Sequence, residues 1–148
     1  MPTIRVTVTA LTLALAMLAT GPTAQGAAAQ KRQATNVELL KGSVRDGDSR
    51  HPAGGRAAVI RTMSGTRLLT VRNLRIRPAG AVRVYLVPRK VRGSRIGRDF
   101  KNLGRLKGNR GNQKYTIPRS VDLRRYNTVI FWCVPFTQTL GRVNLRRS

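Results

Sequence analysis

The sequence holds one histidine, one cysteine and five carboxylates among 148 residues, and these scarcities exclude a good deal of chemistry. With His51 as the only imidazole, no multi-histidine metal site can form within one chain. With Cys133 as the only thiol, neither a thiolate cluster nor an intramolecular disulfide can form. A Ser-His-Asp triad would have to use His51, which stands in the loop-like run Asp48-Ser49-Arg50-His51-Pro52. The acids are Glu38, Asp46, Asp48, Asp99 and Asp122. Asp46-Gly47-Asp48 lacks the ligand series and closing glutamate of a calcium loop and reads as a turn. Neither a metal site nor a stand-alone enzyme is expected. Aromatic residues are only 5% of the chain, so platforms for stacked bases are not evident and no specific nucleic-acid partner is expected.

Positive charge is abundant: 29 Lys+Arg give a formal net charge of +24. Such a surface attracts polyanions at low ionic strength, and binding to anionic cell-envelope polymers is one expectation. The arginines run along the whole chain without gathering into a tail, so a general solubilising role explains the same composition.

The first thirty residues carry one charge, Arg5, ahead of an apolar block from Val6 to Ala19 that ends at Thr20-Gly21-Pro22. Ala27-Ala28-Ala29 then supplies small residues for a signal peptidase. The block is shorter than the roughly 18–20 residues of a membrane span. Residues 1–29 are therefore read as a signal peptide, 30–38 as a flexible lead-in and 39–147 as one β domain. The mature chain is expected to be secreted or extracytoplasmic, with no transmembrane segment.

No helix-length apolar periodicity follows the signal peptide. Short β-prone segments are separated by turn residues instead: Arg56–Thr62, Thr66–Leu74, Val82–Val87, Leu103–Leu106, Lys114–Pro118, the run ending at Cys133, and Gly141–Leu145. Val82, Val84 and Leu86 share one strand face, with Arg83, Tyr85 and Val87 on the other. Lys107–Gln113 reads as a glycine/asparagine turn with Gly108, Gly111 and Asn112 as turn residues, and Arg119–Tyr126 as one helical turn or a loop. The fold class is all-β, a single β-sandwich or small barrel-like domain.

Cys133 ends the run Val129-Ile130-Phe131-Trp132-Cys133. On a strand, Val129, Phe131 and Cys133 point one way and Ile130 and Trp132 the other, so both faces are apolar. That pattern suits a central strand covered on both sides or screened by a loop. Three readings stay open: a packed small hydrophobe, a redox thiol or ligand, and a disulfide to another molecule. His51 is a second candidate, for binding a cofactor beside Cys133; Tyr115 and Trp132 read as packing residues.

Several clusters recur in one order: Val84-Tyr85-Leu86, then Leu106-Lys107-Gly108 with Gly111-Asn112-Gln113-Lys114-Tyr115-Thr116-Ile117-Pro118, then Trp132-Cys133-Val134-Pro135-Phe136 and Gly141. With His51 and Gly54-Gly55 ahead of them, they resemble the DM13 domain over roughly residues 39–146. The Gly-Pro-Asp usual before the Val-Tyr-Leu strand is here Ala79-Gly80-Ala81, without the acid, and Asn73-Leu74 stands where an aromatic is common. The resemblance implies a secreted β-sandwich with an electron-transfer role. In that role the residue at Cys133 acts as a bare thiol or as ligand to a prosthetic group such as haem. The partner would be an extracytoplasmic redox protein.

Overall fold

The structure is a computed structural model, and it describes residues 35–47, 52–89, 91 and 96–148. His51 and the signal-peptide segment 1–29 lie outside the described residues. The described chain is built of strands: β1 (Val37–Asp46), β2 (Gly54–Arg61), β3 (Arg67–Arg75), β4 (Val82–Pro88), β5 (Lys101–Arg105), β6 (Arg110–Ile117), β7 (Tyr126–Cys133), β8 (Gln138–Asn144) and the short β9 (Arg146–Arg147), with apolar-polar alternation clearest in β2 and β6. β1 opens at Val37, inside the segment 30–38 read as a lead-in. Among the described residues no helix is long and apolar enough to cross a membrane.

The strands are hydrogen-bonded antiparallel in the order β5-β4-β7-β8-β1-β2-β3-β6. The two ends of that path, β5 and β6, follow one another in sequence and lie side by side without a ladder, leaving a nearly closed barrel. β1 links the two halves. Its first part pairs with β2 and, on its other edge, with β9 (Lys41↔Arg146), while its last part pairs with β8 (Val44↔Val143). Gly42 sits at this changeover, where a Cβ would come within 2.5 Å of the Asn144 carbonyl oxygen.

The inward residues of every long strand form one core, including Val59, Leu69, Val84, Leu86, Val129 and Phe131. A second, smaller apolar cluster lies on the other face of β4 and β7, where Tyr85, Val87, Ile130 and Trp132 are covered by Val91, Ile96 and Phe100 of the β4–β5 connection. β7 is therefore a central strand covered on both faces, one of them by a loop, as its two apolar faces imply.

Two local readings change. Arg110–Gln113 is strand, not turn, because β6 extends back along β3 to Arg75↔Arg110; Gly111, at φ 93°, takes up the irregularity between Val71 and Leu74. The turn shrinks to the residues between β5 and β6. The stretch before β7 is a loop with one unextended turn, in which the Asp122 carbonyl accepts from the Arg125 and Tyr126 amides.

Candidate functional site

Cys133 is the last residue of β7, paired with Val82 on β4 and Gln138 on β8. Its side chain faces the main core and is 0% exposed. The sulfur is free of any disulfide. One peptide bond further, the chain turns over at Val134-Pro135-Phe136-Thr137, and the turn is exposed, Phe136 by 71%. The Val134 amide donates to the Ala81 carbonyl at 3.0 Å, tying the turn to the connection before β4. The Thr137 amide donates to the Val134 carbonyl at 3.3 Å. Thr137 has φ 46°, a left-handed conformation that its branched Cβ makes costly. A buried thiol thus adjoins an exposed apolar turn held in strained geometry.

Ala53, just before β2, packs against the same core. The Ala53 amide donates to Asp46 Oδ1 at 2.7 Å, and Gly141 is pressed between Ala53 and Phe131, so that a Cβ there would lie 3.2 Å from both side chains. A cleft of about 730 Å³ opens beside it, walled by Pro52, Ala53, Arg75, Ile76, Pro78 and Arg110 among others. Cys133 is not on its wall. Of its wall, Ile76 belongs to the same core as Cys133 and Ala53 packs against that core. The sulfur is fully buried among apolar core residues and lines none of the described clefts, so the described residues do not fit a haem ligated by Cys133. Among the described residues no three His, Cys, Asp or Glu side chains are grouped to hold a metal ion.

The motif residues around Gln113 have a structural task. Gln113 and Tyr115 are buried on β6, facing inward. The Tyr115 hydroxyl donates to Gln113 Oε1, Gln113 Nε2 donates to the Gly108 carbonyl at 2.5 Å, and the Lys107 amide donates to Gln113 Oε1 at 3.2 Å. This network supplies the β5–β6 turn with the partners that its buried polar groups require. Burial pushes the Tyr115 hydroxyl above its ordinary range, against the opposing pull of the Lys107 amide. Trp132 is packed in the second cluster, so Tyr115 and Trp132 are packing residues in this fold.

Sequence reasoning missed one polar cluster. Asp99 receives the Tyr126 hydroxyl at 2.5 Å and the Arg125 guanidinium at 2.6 Å, with Lys101 5.0 Å from the centre of the Tyr126 ring. The Tyr126 hydrogen bond, then Arg125, holds the Asp99 carboxyl below the usual carboxylate range. The cluster fastens the residues before β5 to the start of β7. The only available signal was an isolated acid in a basic loop.

A model of the family described as "Electron transfer DM13" matches residues 43–145. No curated protein and no solved structure matches the chain.

Proposed function

We propose, from the fact that this chain belongs to the DM13 family, that it serves electron transfer outside the cytoplasm, with the Cys133 thiolate attacking a disulfide of a redox partner protein to form a mixed disulfide while the partner's other sulfur leaves as a thiolate. The family supports the class of activity. The position of Cys133 carries the assignment to the sulfur: the only thiol of the chain stands one residue from an exposed apolar turn. Residues 134–136 offer a partner an apolar contact beside the thiol, and the left-handed Thr137 makes this turn a place where local opening costs less than elsewhere in the ladder. Secretion is supported by the charged start, apolar block and small-residue exit of residues 1–29.

The test uses the folded mature protein. Its mass is followed after iodoacetamide, from mildly acid to mildly alkaline pH, and after a small disulfide such as oxidised glutathione, beside Cys133→Ala. Slow single alkylation of the folded state, with a reducible mixed disulfide that is absent from Cys133→Ala, supports the reading. Alkylation only after denaturation, with no mixed disulfide in either protein, would falsify it and leave Cys133 a core residue. His51→Ala adds a second arm: a changed alkylation rate would assign that side chain to the same site.

A further inference from the structure

We propose that the outer face of the sheet formed by β9, β1, β2, β3 and β6 is a binding surface for a linear phosphate polymer that carries no bases. The ladder registers place Arg146, Lys41, Ala58, Thr70 and Lys114 in one row across these strands, and Ser43, Arg56 and Arg72 in the next. Residues in register project on the same face. Cations therefore oppose cations directly, Lys41 against Arg146 and Arg56 against Arg72, an arrangement that destabilises a bare sheet.

No described carboxylate offsets the Arg56–Arg72 pair. Glu38 is bound to Lys41 and Ser148 at the sheet's border, Asp46 to the Ala53 amide, Asp99 to Arg125 and Tyr126, and Asp122 to the Arg124 amide. The fifth acid, Asp48, lies outside the described residues. An anion seated between the two guanidinium groups would supply the missing countercharge.

The relief of the face suits a chain. Lys41, Arg56 and Arg72 rim a trough of about 370 Å³ whose floor is made of small residues, Gly42, Ala58 and Thr70 among them. A second trough of about 780 Å³ continues from Thr70 and Arg72 towards Lys107 and Lys114. The cationic track thus crosses the strands from β1 to β6. Arginine forks match phosphate oxygens bidentately, while lysines add point charge. No aromatic side chain stands in the two rows or lines either trough, so the face has no ring platform for a run of stacked bases. Charge along a backbone is what this surface can read.

The experiment compares two doubly substituted proteins of equal net charge, Arg56→Thr/Arg72→Thr on this face and Arg119→Thr/Arg124→Thr in the exposed loop before β7. Binding of inorganic polyphosphate is measured against salt, alongside a single-stranded oligonucleotide of equal charge. The first variant is expected to lose about tenfold in affinity at low salt and to flatten the slope of log K against log salt by about 1.4, some 0.7 per cation removed. The second should change affinity less than about twofold. Equal losses in the two variants would mean that net charge alone attracts the polymer and would overturn the proposal. So would tighter binding of the oligonucleotide. Cys133→Ala should bind polyphosphate as the parent does, which keeps this result separate from the redox reading.

Discussion

The two sheet halves use the same strand alternation and treat their outer faces in opposite ways. On β4 and β7 the outward residues Tyr85, Val87, Ile130 and Trp132 are covered by Val91, Ile96 and Phe100, with Arg83 further along the same face. On β1, β2 and β3 the outward residues include exposed Lys41, Arg56 and Arg72 beside half-buried Ala58, Ile60 and Leu68. One half is held from both sides by burial, the other only from the inside. The contrast teaches that one strand alternation serves two ends: apolar outward residues call for a cover, and exposed cationic ones are lined up in rows by the register.

Truncating one residue on each outer face gives the largest expected difference. Ile130→Ala removes a fully buried side chain and should cost about 2–5 kcal/mol, whereas Ile60→Ala, on the half-buried outer face of β2, should cost less than about 1 kcal/mol; urea unfolding of both measures it. Comparable costs would erase the distinction between the halves. A smaller effect is expected where the halves join. Gly47→Ala would bring a Cβ within 1.9 Å of the Thr139 carbonyl oxygen, a backbone atom that cannot swing aside, and should lose about 1–3 kcal/mol by thermal or urea unfolding.

Relieving the opposed charges sharpens the comparison from the other side. Arg56→Thr/Arg72→Thr should raise stability at low salt by about 0.2–1 kcal/mol, and added salt should remove the gain because exposed charges are screened. The smallest expected effect concerns pH. The folded state holds the Asp99 carboxyl below its unfolded value of about 3.9. Its contribution is therefore present above that value and disappears as pH falls through the lower folded one. Asp99→Asn should make the acid limb of the stability curve shallower, and an unchanged limb would show that the cluster with Tyr126 and Arg125 adds nothing.

Much of the fold was legible from alternation alone. Val82, Val84 and Leu86 face the core and Tyr85 and Val87 the second cluster, as a two-residue period requires. β1 was not legible, because a register shift between Glu38 and Leu40 and the glycine at 42 break its alternation. β5 was only partly legible, since Lys101-Asn102 precede a single apolar residue, Leu103, on an edge strand. The end of β7 at Cys133 could be read from the following Pro135, but the burial of its sulfur depends on β4 and β8, which lie elsewhere in the sequence. The alignment of Arg56 with Arg72 was equally hidden. Local composition gives the charges, and only pairing over distance sets them opposite each other.

The changeover at Gly42 also orders events in time. β1 emerges early in synthesis, yet its later edge is completed by β8 and β9, on the order of 100 residues further along the chain. Until those strands exist, β1 carries unpaired backbone groups and an uncovered apolar face at Leu40 and Val44. The nascent domain thus stays open-ended until almost its last strand is made. A chaperone that holds the early strands would meet no finished structure to undo.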